Sequence, residues 1–333
     1  MRTVYVQTNE QDNRVIAFRR AEDGSLSRLG EFPTGGAGDG VPHLTSQGSV
    51  VLTAGGRLLV ANAASGDVSV FAAAANGVEL LGTTTTGSAP KSVAEHDGLV
   101  YVLNTGDPSL AGFRVGDAGL EPLEGSRRDL AARSDPAQVG FAPDGSALVV
   151  TNRGTDSLVV FAVGADGLLG EPHEVASSGP TPYGFAFAGE TLVVTEAFGA
   201  QVGKAAASSY RVFGGSLEPV TRSAGNGRSE ICWAVTTPDG RWAFTTNFAD
   251  GAVSRYAIGA DGTLTLEDAA AGVAVEGRTG LRDEDLTADG RFLYAIDADS
   301  QRIFGWAVGA DGALAPVGSW DGLPATVAGL AAA

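Results

Sequence analysis

Cysteine is nearly absent from this 333-residue chain, with Cys232 as the single copy. A lone thiol excludes an internal disulfide framework and any zinc site built on paired cysteines. Histidine is scarce as well, and His43, His96 and His173 are too dispersed to form a zinc centre. Positive charge is short: 22 Lys+Arg stand against 39 Asp+Glu, a formal net charge of −17, and the only lysines are Lys91 and Lys204. That balance excludes a general nucleic-acid binder, whose surface needs a basic footprint. No uninterrupted run of about 18 apolar residues occurs, so no membrane span is expected. The first residues enter a strand-like segment without the apolar core of a secretory signal, and the expected compartment is the cytoplasm. A sustained 3.6-residue apolar period is missing, which leaves helices a minor place. Neither G-x-S-x-G nor H-E-x-x-H is present, and the glycine-rich segment 35–40 lacks the following helix of a phosphate-binding loop. No cofactor and no metal are therefore expected.

Glycine is abundant instead, at 48 residues, which points to many turns. One unit recurs along the chain. It reads Pro143-Asp144-Gly145, then a strand ending at Asn152, then Ser157 to Val163, then Asp166-Gly167, and it returns at Pro238-Asp239-Gly240 and Ala288-Asp289-Gly290. The residues closing the second strand of each unit are read as Asn9, Asn62, Asn104, Asn152, Glu196, Asn247 and Asp297, spaced 42 to 53 residues apart. This is the period of four-stranded propeller blades. The late hairpin marker gives the same seven copies, from Asp23-Gly24 to Asp311-Gly312. The first unit has no inner strand of its own, and Leu323 to Leu330 matches the Pro-x-x-Val opening of the other units. The expected fold is all-β: one seven-bladed β-propeller domain over residues 1–333, its ring closed by N- and C-terminal strands in one blade.

These Asp-Gly-Arg-x-Leu-Tyr-type and Val-x-Thr-Asn-type strands, in seven copies, resemble the lactonase-type seven-bladed propeller family. Named members of that family include a bacterial 6-phosphogluconolactonase and a fungal 3-carboxymuconate cyclase. The resemblance covers essentially the whole chain and is specific for the fold more than for the chemistry, which must be argued from a site.

A site is expected at the channel mouth, where the inter-blade loops and the loops between second and third strands share one face. Two positions at the start of each inner strand point there. The first holds Gly48, Lys91, Ala137, Tyr183, Cys232, Arg282 and Ala325; the second holds Ser49, Ser92, Gln138, Gly184, Trp233, Asp283 and Thr326. Lys91, Gln138, Tyr183, Trp233, Arg282 and Asp283 are large and polar for packing positions, and they are candidate substrate contacts or plugs of the channel. Arg228 joins Lys91 and Arg282 as a candidate anion contact. Glu196 departs from the Asn and Asp of its set and opens a long loop to Ser208. The resemblance implies a catalytic glutamate at the end of this kind of strand, so Glu196 is a candidate acid/base; alternatively it caps backbone N–H groups as the asparagines do. The family's histidine falls at Ala137 or Gln138, and its arginine at Tyr183. His43, in the linker expected to cross the mouth, is the second catalytic candidate, beside the alternative of a solvated loop histidine. Two functions stand. One is a lactonase-like or cyclase-like enzyme, a hydrolase or isomerase, acting on a small anionic lactone or its open carboxylate. The other is a non-catalytic propeller scaffold holding a protein or small molecule on the same face.

Overall fold

The computed structural model describes residues 2–42, 44–45, 47–74, 76–213 and 215–333. Seven antiparallel sheets succeed one another along the chain, each running from an inner to an outer strand. The inner strands are Val50–Leu52, Pro90–His96, Pro136–Phe141, Pro182–Ala188, Ile231–Thr236, Leu281–Leu286 and Ala328–Ala332. The last of these pairs with Thr3–Gln7 and so belongs to the first blade, closing the ring as the sequence predicts. In the third blade two short strands, Leu120–Pro122 and Arg128–Asp129, share the outer place. Among the described residues the one helical turn is Phe198–Ala200, and no helix is long and apolar enough to cross a membrane.

Second strands such as Leu99–Asn104, Ala147–Asn152 and Phe292–Asp297 are buried along their whole length. Their β-branched and aromatic side chains are covered on both faces because blades stack face to face. Each main apolar cluster spans two neighbouring blades, as where Val4, Val6 and Ile16 pack on Tyr294 and Ile296. The Asp-Gly turns knit the same interfaces. Asp23, Asp166, Asp261 and Asp311 each accept the backbone N–H two residues on, and the following glycines hold positive φ of 74° to 87°. Carbonyls of these glycines are then captured by the preceding blade: Tyr294 Oη donates to Gly24 O at 2.6 Å, and Tyr101 Oη to Gly167 O at 2.9 Å.

Six of the seven inner strands carry a β-bulge near their start, as between Pro136 and Gln138 or Ile231 and Ala234. The extra residue brings two consecutive side chains to the inner region, which gives the paired positions of the sequence their physical basis. Two registers differ from the sequence reading. The closing strand starts at Ala328, and its paired positions are Gly329 and Leu330, because Gly329 at φ 66° supplies the bulge. Ala325 is exposed, while Thr326 donates to Thr8 O at 2.7 Å. In the first blade Gln7 closes the second strand, opposite Ala328. Asn9 lies two residues beyond it, at φ 53°, and its amide binds Asp39 at 2.7 Å, pinning the linker to the second blade.

In the acidic run 283–285, Asp283 and Glu284 are buried inside the ring and Asp285 is half-buried. Burial pushes the Asp283 carboxyl up to about 6 and Asp285 up to about 7, although the latter accepts the Ala332 N–H at 2.8 Å. Glu284 is driven up by the same desolvation.

Two outcomes are expected of this architecture. Leu330→Ala opens a hole in the closing blade and costs about 2–5 kcal/mol, read from urea unfolding; an unchanged midpoint would show that the closing strand carries no packing load. The buried acids make the folded state hold more protons than the unfolded chain between the ordinary carboxylate range and about pH 7. Stability therefore falls as pH rises through that window, by on the order of 1 kcal/mol or more per unit, and Asp283→Asn flattens the slope. Urea midpoints that do not move with pH would contradict the assignment.

Candidate functional site

Where the inner strands of the fifth and sixth blades begin, a cavity of about 330 Å³ opens between two kinds of loop. Inter-blade segments contribute Thr181 and Glu230, and the loops after the second strands contribute Ala197, Gly199, Ala200 and Phe248. The inner strands supply Tyr183, Cys232 and Trp233, and Thr45 comes from the linker before the second blade.

The backbone that presents these residues follows a repeated rule. The residue just before an inner strand is left-handed: Ala89, Asp135, Thr181, Glu230 and Gly280 all have positive φ. Its carbonyl accepts the N–H of the residue that follows the second strand, at Thr105, Arg153, Ala197, Phe248 and Ala298 respectively. Glu230 and Phe248 are one such pair, joined at 2.8 Å. The long fifth-blade loop adds a left-handed turn at Phe198, Gly199 and Ala200, with φ of 51°, 57° and 61°. Holding the two non-glycine residues there costs on the order of 1–3 kcal/mol each, and the turn forms part of the cavity wall.

Tyr183 and Trp233 stand with ring centres 5.4 Å apart. Arg153 lies over the Tyr183 ring at 4.8 Å, donates to its hydroxyl at 3.1 Å and pairs with Asp135 at 2.7 Å. Burial still pushes the Tyr183 phenol and the Cys232 thiol above their usual ranges. Arg282 is fully buried, its guanidinium carbon 5.0 Å from the centre of the Phe248 ring, and desolvation lowers its pKa. Asp283 beside it is bonded by the Trp233 indole. Glu230 is the carboxylate of the described lining. Desolvation raises its pKa first and the neighbouring Asp250 second; Asp250 is held by the Ser229 N–H at 2.6 Å.

The sequence candidates thus divide. Tyr183 and Trp233 meet at the cavity, and Arg282 and Asp283 lie directly behind it. Gln138 does not reach it: its amide accepts the Phe185 N–H at 2.7 Å and donates to Phe185 O at 3.0 Å, so it bridges two inner strands. Arg228 points to the outer strand, where Nε donates to Ala269 O at 3.1 Å. Lys91 stands 3.8 Å from Asp39 and is absent from the lining. His43 lies outside the described residues.

Glu196 is fully buried and turned into its own blade. It accepts the Gly179 N–H at 2.8 Å, Ser208 Oγ at 2.5 Å and Ser223 Oγ at 2.7 Å. Burial raises its pKa while these bonds lower it. A side chain at Gly179 would stand 2.3 Å from its carboxylate, so glycine is required there. This is the capping alternative, and it mirrors Asn247, which links Asn226 and Ser254 in the next blade. Glu230 and Phe248 are not among the sequence candidates, because both lie on loops, just outside the strands Ile231–Thr236 and Trp242–Asn247. The available signal was a glutamate and a phenylalanine at loop positions where the third, fourth, fifth and seventh blades place Ala, Asp, Thr, Gly or Arg.

No functionally curated protein matches the chain in sequence. Among solved structures, a protein of Bacteroides fragilis provisionally assigned as a 6-phosphogluconolactonase superposes with a TM-score of 0.75 at 21% identity, covering 99% of this chain and 97% of its own. The periplasmic gluconolactonase of Pseudomonas aeruginosa gives 0.76 at 19% identity over 97% of both chains. A functionally unknown protein of Desulfotomaculum acetoxidans gives 0.76 at 12% identity, over 99% of this chain and 98% of its own. At such identities the likeness establishes the fold. Residues 119–202 and 193–326 match the family described as Lactonase, 7-bladed beta-propeller, and with most of its length so matched the chain belongs to that family.

Proposed function

We propose that the protein is a lactone hydrolase working in the cavity between the fifth and sixth blades, with Glu230 as general base. The observation that carries this reading is the placement of Glu230: a carboxylate with a raised pKa against an aromatic wall. A base poised nearer neutrality than a free carboxylate is better matched to taking a proton from water. Membership of the lactonase family supports lactone chemistry over other acyl transfers.

In the proposed step Glu230 takes a proton from water as the water oxygen adds to the lactone carbonyl carbon. The tetrahedral intermediate then breaks its ring C–O bond, and the departing ring oxygen receives the proton from Glu230, which leaves an open hydroxy acid. Tyr183 is placed to stabilise the developing oxyanion. Its hydroxyl accepts from Arg153 and retains its own hydrogen for donation, a donor strengthened by the guanidinium. Thr181 is arranged similarly, since its hydroxyl accepts the Gly199 N–H at 3.0 Å. Glu196 takes no part in the step; it fixes the start of the loop that walls the cavity.

Glu230→Gln is expected to lower kcat for lactone hydrolysis by about 10²–10⁴ with an unchanged melting temperature, whereas Glu196→Gln keeps kcat within a few fold and loses stability. Full turnover in Glu230→Gln would remove the proposal. The rising limb of kcat/KM against pH should lie above the ordinary glutamate range and be absent in Glu230→Gln. A profile flat across that range in the unsubstituted protein would mean that another group supplies the base.

A further inference from the structure

The sequence led to an anionic substrate, but the cavity wall is built for something else. A phosphate or carboxylate group is recognised by guanidinium forks, ammonium groups or clustered N–H donors. Among the described residues lining the cavity there is no lysine, arginine or histidine. The cations nearby have other engagements: Arg153 holds Asp135 and Tyr183, Arg282 is buried against Phe248 and beside Asp283, and Lys91 lies by Asp39. An anion entering would meet Glu230 and, behind it, Asp250, in a chain already at −17.

A cation would be drawn to an aromatic wall with a carboxylate. Here, however, guanidiniums already stand 4.8 Å from the Tyr183 ring and 5.0 Å from the Phe248 ring, so positive charge is in place against two of the three aromatic side chains. A polyhydroxylated neutral ring meets a different obstacle. Each hydroxyl it buries needs a partner, and the lining side chains with hydroxyl or carboxylate groups are Thr45, Thr181, Tyr183 and Glu230, of which Tyr183 and Glu230 are committed to the reaction.

We infer that the cavity selects an uncharged lactone whose ring carries an apolar alkyl or aryl substituent, and that it discriminates against phosphorylated and polyhydroxylated sugar lactones. The substituent packs on Trp233 and Phe248 while the ester faces Glu230 and Tyr183. This rests on the hydrolase reading for its chemistry and on the composition of the wall for its selectivity.

The test compares three substrates with the full chain near neutral pH: a phenyl-substituted δ-lactone, unphosphorylated gluconolactone and its 6-phosphorylated form. Acid release gives kcat/KM, and quenching of tryptophan fluorescence, with Trp233→Phe as control, gives binding independently of turnover. The phenyl lactone should exceed both sugar lactones in kcat/KM by at least about tenfold, and Phe248→Ala should raise its KM with a smaller change in kcat. Preference for either sugar lactone overturns the inference while the hydrolase reading stands. Quenching by the phenyl lactone, lost in Trp233→Phe and weakened in Phe248→Ala, with no turnover of any substrate, supports the ligand class and removes the hydrolase reading. Neither binding nor turnover of the phenyl lactone overturns the inference.

Discussion

An inner strand of a propeller blade has a sheet partner on one side only, and its other edge must still find hydrogen bonds. Much of this molecule is arranged around that demand. Across the ring, Gln47 accepts the Ala234 N–H at 3.1 Å and donates to Ala234 O at 2.8 Å, and Gln138 does the same for Phe185. Ser92 accepts from Val139 N and donates to Gln47 O, Asp285 accepts from Ala332 N, and Gly48 O takes the Val93 N–H. Threonines on second strands reach across to the remaining carbonyls, Thr151 to Tyr183 O at 2.6 Å and Thr195 to Cys232 O at 2.7 Å. Gln47, Ser92, Gln138 and Asp285 inside the ring thus substitute for a missing strand.

This constraint locates the candidate site. Where inner residues complete a neighbour's backbone their side chains are held in place by that task, as with Gln138 on Phe185. At the fifth and sixth blades the side chains at the bulge are Tyr183, Cys232 and Trp233 instead, and second-strand threonines carry part of the backbone duty there. That frees the aromatic surfaces to face a cavity, and the left-handed residues at the strand starts bring Thr181 and Glu230 to its edge.

The repeat was legible because its marks are local. An Asp-Gly turn satisfies its own backbone within a few residues, so the seven hairpins and the blade count can be read directly from the chain. The ring closure was legible for the same reason, since an unpaired first unit needs a strand from the other end. The exact register of that strand was not, because Pro324 reproduces the Pro-x-x-Val spacing while Gly329 sets the bulge. Glu196 misled because a carboxylate among asparagines reads the same whether it faces a substrate or three donors in its own blade. Only the positions of Gly179, Ser208 and Ser223, up to 27 residues away, decide between them. The cavity was half legible: Tyr183 and Trp233 stood out by size, whereas Glu230 and Phe248 depend on a backbone geometry that single residues do not announce.

The union of Thr3–Gln7 with Ala328–Ala332 also orders events during biosynthesis. The first three strands leave the ribosome with their inner edge unpaired and must stay so until Ala332 has been made, while blades two to seven can each form from contiguous sequence. The nascent chain therefore passes through a long interval as an incomplete arc, when the exposed edge of Thr3–Gln7 is open to pairing with other chains. A chain interrupted before Ala328–Ala332 keeps the sequence of blades two to seven and lacks the strand that completes the first, so its ring stays open.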